Sequence, residues 1–184
     1  MRFAPLTIDR FPDLEALFGP NGACGGCWCM AWRVAPSKWP SVKGAANRTA
    51  LRRLVNAGPP PGVIAYDKAI PVGWCAVAPR QDYSFLERSR VLKPVDDQPV
   101  WSISCLFVRR THRRTGLSSE LIRAAVRLAK KHGAKVVEGY PVSPRKSALP
   151  DVFVWTGLPS AFRRAGFREV ARRSPSRPIM RSTW

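Results

Sequence analysis

From Phe107 to Gly133 the chain reads FVRRTHRRTGLSSELIRAAVRLAKKHG. An apolar run ends at Val108, Arg109, Arg110, Arg113 and Arg114 follow, and Gly116 then opens a long helical pattern. A helix start is already electropositive, because its first N–H groups are unpaired and its peptide dipoles add up there. Arginines placed beside it call for an anion. Free N–H groups can cradle one, arginine adds charge-assisted hydrogen bonds, and glycine lets backbone approach closely. The chemistry fits a pyrophosphate. There is no Gly-x4-Gly-Lys-Ser/Thr, so this is not a Walker A loop, and one glycine is too few for the dinucleotide fingerprint. The competing reading is a solvated basic loop whose helix is capped by Ser118 or Ser119.

The second chemical cluster is CGGCWCMAW, residues 24–32. Cys24, Cys27 and Cys29 have the look of a metal knuckle, but tetrahedral zinc needs a fourth ligand. Cys75, Cys105, His112 and His132 would be the sources, and none sits in a paired motif. No metal is expected. A redox pair through Cys24 and Cys27 lacks a thioredoxin-like context. The five cysteines are an odd number and no export signal precedes them, which argues against a disulfide framework. Trp28, Met30 and Trp32, with Trp39, read by residue type as core.

The elements that must position these residues follow from periodicity. Helices are expected over 9–19, 45–58 and 117–132. The last places Leu117, Leu121, Ala124, Ala125, Leu128 and Ala129 on one face, and Gly133 stops it. SKWPSVKG reads as loop. Strands are expected over 62–67, 69–80, 100–108 and 135–142, rich in Val, Ile and aromatic residues. SPRKSALPDVFVWTG reads as a long irregular loop. A short helix in LPSAFRRAG and a final hairpin through FREVARRS and RPIMRST complete the chain. Strand, 16-residue helix, strand implies a parallel pair, while the other strands look antiparallel. The fold class is a single mixed α/β domain.

The 184 residues carry a formal charge of +19. Residues 91–184 hold 19 basic against 6 acidic side chains, leaving 12 against 6 for residues 1–90. Such a surplus favours anionic partners, whether nucleic acid, anionic lipid or a phosphorylated small molecule. No basic block exceeds two residues, so a well-solvated surface explains the charge equally. No apolar run is long enough to span a bilayer. A soluble cytoplasmic protein is expected, and a homodimer is left open.

Here the sequence resembles the GNAT superfamily of acetyl-CoA-dependent N-acetyltransferases. Their signature is a strand valine, four residues, then Arg/Gln-x-x-Gly-x-Gly/Ala. This chain has Val108, RRTH, then Arg113-Arg-Thr-Gly116-Leu-Ser118, with serine in the last small position. AFRRAGFREV resembles the family's aromatic-x-x-x-Gly-Phe segment through Phe162, Gly166 and Phe167. CWCM and EGYPV resemble a bacterial branch of the superfamily.

The resemblance implies one GNAT-type domain over 1–184. Residues 1–60 would cover the acceptor side, 100–140 would hold acetyl-CoA, and 158–184 would form the closing helix and hairpin. The strands ending at Val108 and near Tyr140 would splay apart. Pantetheine would lie in the gap on the backbone of Leu106, Phe107 and Val108. A backbone N–H near Leu106 would polarise the thioester carbonyl. Arg113, Arg114, Thr115, Gly116, Leu117, Ser118 and Ser119 would hold the pyrophosphate, with Phe162 also on the cofactor side. Trp28, Met30 and Trp32 would wall the acceptor pocket. Phe162 stands where many relatives have an acidic tyrosine, so Tyr140 becomes the candidate acid. Ser102-Ile103-Ser104-Cys105 contains no carboxylate where relatives have a base, so Glu138 becomes the candidate base. Glu138 pairing with an arginine and Tyr140 packing at the strand end are the alternatives. Ser104 and Cys105 could line the thioester site, and core packing accounts for either. The reaction implied is direct acetyl transfer to a primary amine without a metal. The rivals are a nucleic-acid-binding protein, an acetyltransferase acting on an RNA-linked amine, and a silent acyl-CoA-binding regulator.

Overall fold

A computed structural model describes residues 1–144 and 153–184. Among these residues seven strands form one sheet in the order β1-β2-β3-β4-β5-β7-β6. They span Arg2–Pro5 (β1), Gly62–Asp67 (β2), Ile70–Pro79 (β3), Trp101–Val108 (β4), Val136–Gly139 (β5), Arg168–Arg172 (β6) and Pro178–Thr183 (β7). Helices span Phe11–Phe18 (α1), Trp39–Val42 (α2), Ala45–Ala57 (α3), Ser84–Arg88 (α4), Leu117–Lys131 (α5) and Pro159–Arg164 (α6). Every strand pair is antiparallel except β4 with β5. The crossover between those two is α5, as its length requires.

The helix faces follow their spacing. The six apolar α5 residues expected on one face are all buried, and they pack with Val63, Val72, Ile103 and Leu106 from the sheet. On the opposite side, Phe11, Leu14, Leu17 and Phe18 of α1 join Leu51 and Val55 of α3 over Ile64, Trp74 and Cys105. The sheet is therefore covered on both sides, and β4 contributes to both cores.

Three departures from the sequence reading concern short elements. Strand β1, four residues ending in proline, pairs with β2 at the sheet edge, where a strand needs only one partner. Residues 39–42 form the single turn α2 inside the stretch read as loop. Strand β5 is four residues long instead of eight, since its ladder with β4 stops at Gly139. The expected loop over 143–157 lies partly outside the described residues.

Candidate functional site

Strand β4 carries the site, and two irregularities in it matter. The first is a bulge. Ala76 faces Cys105 and Val77 faces Ile103, leaving Ser104 without a β3 partner. One extra residue flips the phase of all that follow. Ile103 and Leu106 consequently share one core, while Cys105 packs in the other with Phe107 beside it.

The second irregularity is the splay. Parallel pairing with β5 covers only Trp101, Ser102 and Ile103. From Ser104 onward the β5 side of β4 faces a gap. A cavity of about 1250 Å³ opens there and is lined by Ser104 through Val108. The backbone at 153–157 reaches into it: Leu106 N–H donates to the Trp155 carbonyl at 2.7 Å, and Val142 N–H to the Gly157 carbonyl at 2.9 Å.

At one end the cavity meets the start of α5, with Arg113, Arg114, Gly116, Leu117 and Ser118 on its wall. Gly116 is the N-cap residue, with φ of 87° and no side chain capping the helix. A left-handed conformation favours glycine, and a Cβ placed there would meet nothing within 4 Å. Ser118 and Ser119 thus do not cap. Ser119 is buried and receives Arg164 Nε at 3.4 Å, and Thr115 donates to the His112 carbonyl. Neither lines the cavity. Arg113 donates to the Val108 carbonyl at 3.1 Å, which holds the loop against the strand end. Arg164 and His112 reach the same wall, and no motif pointed to Arg164. Its place follows from α6 packing on α5, where Arg123 donates to the Arg164 carbonyl.

At the other end the wall is built by residues 23–43, with Phe85 and Trp155. The cysteine-rich loop is tightly wound. Ala23, Trp28 and Cys29 all have positive φ, a costly state for residues with side chains. Several contacts impose it. Trp28 meets Phe18 edge-on at 5.7 Å. Cys29 Sγ accepts from Trp74 Nε1 at 3.0 Å and lies 3.3 Å from Cys105 Sγ. Gly44 N–H and Asn47 Nδ2 both donate to the Gly26 carbonyl. A Cβ on Gly26 would fall 2.4 Å from the Gly44 nitrogen, so only glycine admits this approach.

Of the three proposed acceptor-wall residues, only Trp32 lines the cavity, while Trp28 and Met30 are buried in the core behind it. Trp39, Lys43, Cys24, Cys27 and Cys29 do line it. Burial pushes the Cys27 thiol up, and the contact with Cys105 followed by burial pushes Cys29 well up. Among the described residues no group of three or more His, Cys, Asp or Glu is arranged to hold a metal ion.

Glu138 and Tyr140, the expected base and acid, face elsewhere. Glu138 is 1% exposed and Tyr140 fully buried. Tyr140 donates to Glu138 at 2.5 Å, receives Arg80 at 2.9 Å and sits 2.8 Å from Ser102 Oγ. Glu138 also accepts from Arg181 Nε at 2.8 Å, and Arg181 grips Asp96 with its other two nitrogens. Burial, then the Glu138 charge, pushes the Tyr140 phenol well up. The carboxylate and phenol are committed to a closed ionic network, and neither lines the cavity. Phe162 is also buried, lying so close to Gly139 and Gly157 that a Cβ on either would collide with its ring. It supports the site from behind.

The family model for the GNAT acetyltransferases matches residues 28–148. The chain belongs to the GNAT acetyltransferase family. Solved structures share its fold across nearly their whole length. A GNAT-family acetyltransferase from Streptococcus agalactiae is 10% identical, with TM-score 0.58 over 100% of this chain and 95% of that one. The PaiA N-acetyltransferase of Thermoplasma acidophilum, solved with coenzyme A, is 13% identical, with TM-score 0.55 over 100% and 98%. A ribosomal-protein-alanine N-acetyltransferase from Brucella melitensis is 13% identical, with TM-score 0.52 over 100% of both chains. No curated protein matches the sequence. Among the described residues no helix of this acetyltransferase is long and apolar enough to cross a membrane.

Proposed function

We propose that this GNAT-family protein transfers the acetyl group of acetyl-CoA to a primary amine of a small molecule or peptide. One observation carries the reading. A single cavity runs from an aromatic loop, past the half of β4 that lacks β5, to an arginine-lined helix start. Each part suits one portion of the ligand. The first turn of α5, Arg113 and Arg114 would take the pyrophosphate, since N–H groups and guanidinium both favour phosphate oxygens. The backbone of Leu106 to Val108 would take the pantetheine amides as a neighbouring strand would. Acetyl-CoA, when bound, supplies the thioester.

The amine nitrogen attacks the thioester carbonyl, forming the C–N bond as the C–S bond breaks. The Leu106 N–H stabilises the charge that develops on the carbonyl oxygen. One proton leaves the amine and one ends on the departing thiolate, which is stable enough to leave without a side-chain acid. Glu138 and Tyr140 are assigned to holding β5 in place. CoA-bound relatives and family membership support the acetyl-CoA assignment. The nucleic-acid-binding and silent-regulator alternatives gain no support from the comparisons.

The test is calorimetric titration with acetyl-CoA, followed by an amine panel in which free thiol release is matched to acetylated product by mass. Saturable binding with amine-dependent thiol release supports the reading. Binding without transfer to any amine refutes catalysis, and absence of binding refutes the cofactor.

A further inference from the structure

The acceptor end of the cavity has its own chemistry, and three observations converge on what fits it. First, its surface is aromatic. Trp32 stacks on Phe85 with centroids 5.1 Å apart and planes 16° apart, and meets Trp155 edge-on at 5.5 Å. Trp39 adds a fourth ring to the wall. Such a panel takes an apolar or planar body.

Second, one side chain there has an unsatisfied polar atom. Ser104 is 2% exposed and sits at the β4 bulge on the cavity wall; its hydroxyl lies beside the buried Tyr83 hydroxyl, and among the described residues neither forms a hydrogen bond of ordinary geometry. Buried hydroxyls are nearly always paired, and even with Tyr83 as its neighbour the Ser104 oxygen keeps an acceptor lone pair that a ligand N–H can fill. Ser104 is two residues from the Leu106 N–H that the reading above places at the thioester. A hydroxyl so close to the reacting carbon suits the acceptor nitrogen, which can donate to it.

Third, the charge at this end is positive. Lys43 is the cation that residues 23–43 bring to the wall, and its Nζ stands 5.7 Å from the centre of the Trp39 ring. Among the described wall residues there is no aspartate or glutamate. A polycationic acceptor would meet Lys43 here and the arginines of the α5 start beyond. A carboxylate would find a partner in Lys43 instead.

We propose that the acceptor is a small primary amine built on an aromatic-sized apolar body and bearing a carboxylate, as an aromatic amino acid does. The rings hold the body, Lys43 pairs with the carboxylate, and Ser104 orients the nitrogen. The new C–N bond forms as the thioester C–S bond breaks, and the proton lost by nitrogen ends on the thiolate. This rests on the acetyl-CoA reading, so the test separates the two.

Acetyl transfer is measured by thiol release and product mass with L-phenylalanine, 2-phenylethylamine and spermidine. Acetyl-CoA affinity is measured in parallel by calorimetry. The expected order is L-phenylalanine first, with kcat/KM about tenfold or more above 2-phenylethylamine, the scale of one charge-assisted contact, and spermidine last. Lys43→Ala erases the preference by raising KM for L-phenylalanine, and Lys43→Arg restores much of it. Ser104→Ala lowers kcat more than it changes acetyl-CoA affinity. Intact acetyl-CoA binding with spermidine or 2-phenylethylamine preferred overturns this proposal alone. So does intact binding with no transfer to L-phenylalanine, or a preference unmoved in Lys43→Ala. Loss of acetyl-CoA binding in the wild type overturns the underlying reading instead.

Discussion

The Leu106 N–H and the Trp155 carbonyl are hydrogen-bonded at 2.7 Å, at the point where β4 has lost β5. Residues 153–157 thus provide what a neighbouring strand would have provided. A ligand that takes up the Leu106 N–H must displace that carbonyl. The Trp155 ring, packed on Trp32 at 5.5 Å, then changes its surroundings. We expect saturable changes in tryptophan fluorescence on titration with CoA. Trp155→Phe removes most of the signal and Trp184→Phe, on the far C-terminus, does not. An unchanged spectrum at saturation, with binding shown by calorimetry, would mean that Trp155 stays in place.

The α5 start makes a second prediction. Arg113→Glu reverses charge on the cavity wall, and Gly116→Val forces a β-branched residue to φ of 87°. A left-handed conformation costs an ordinary residue about 1–2 kcal/mol. Each variant should weaken acetyl-CoA binding about tenfold or more, roughly one charge-assisted contact. Gly116→Asn tolerates that conformation better and serves as the folding control, with thermal unfolding close to wild type. Unchanged calorimetric affinity in both Arg113→Glu and Gly116→Val would refute the phosphate assignment.

Glu138 is expected to govern stability. Removing one partner of a buried ionic network strands the others, typically at about 3–5 kcal/mol. Glu138→Ala leaves Arg181, Arg80 and Tyr140 without their shared acceptor. Urea unfolding should show a loss of that order. Tyr140→Phe should cost about 1–3 kcal/mol. A Glu138→Gln enzyme that folds normally, binds acetyl-CoA and yet loses its pH-dependent rate would return Glu138 to the role of base.

Acid should loosen the same network from its exposed rim. The hydrogen bond from Arg181 holds the Asp96 carboxyl below its ordinary value. A depressed folded value contributes stability above the unfolded one, near pH 4, and loses it as pH falls through the folded value. Asp96→Asn should flatten the acid limb of a plot of unfolding midpoint against pH, while leaving the neutral-to-alkaline limb parallel to wild type. An acid limb of unchanged slope would count against this linkage.

Thiol labelling should rank the cysteines. Cys24 is exposed, Cys27 half-buried, and Cys29, Cys75 and Cys105 buried. Burial pushes Cys75 up, and the Cys105 contact with burial raises Cys29. Thiolate is the reactive form, so alkylation at mild alkaline pH should mark Cys24 first and leave Cys29 and Cys75 for the unfolded chain. Early labelling of Cys29, read by peptide mass, would show that the wound loop opens.

The helix start on the cavity wall was legible because its signals are local. A strand end, an arginine pair, one glycine and a helix are contiguous, and the family resemblance rests on those residues. Strands β2 to β4 and helices α3 and α5 were legible from their apolar spacing. Edge strand β1 was not, since four residues ending in proline show little alternation. The roles of Glu138 and Tyr140 turned on partners far away in sequence, Arg80, Asp96 and Arg181, which only the fold brings together. The bulge at Ser104 was equally hidden. SISC reads as regular strand, and the extra residue shows only against the β3 register. The contributions of Arg164 and Lys43 to the wall depend on how α6 and the cysteine-rich loop dock.

Only three residue pairs join β4 to β5. The sheet is consequently two leaves, one of four strands and one of three, held by a narrow seam. Any molecule that lies along the open half of β4 acts as an interposed strand and lengthens that seam. Cofactor occupancy should therefore show far from the cavity, as slower amide exchange in β5 and β7 and as a common melting of leaves that would otherwise breathe separately.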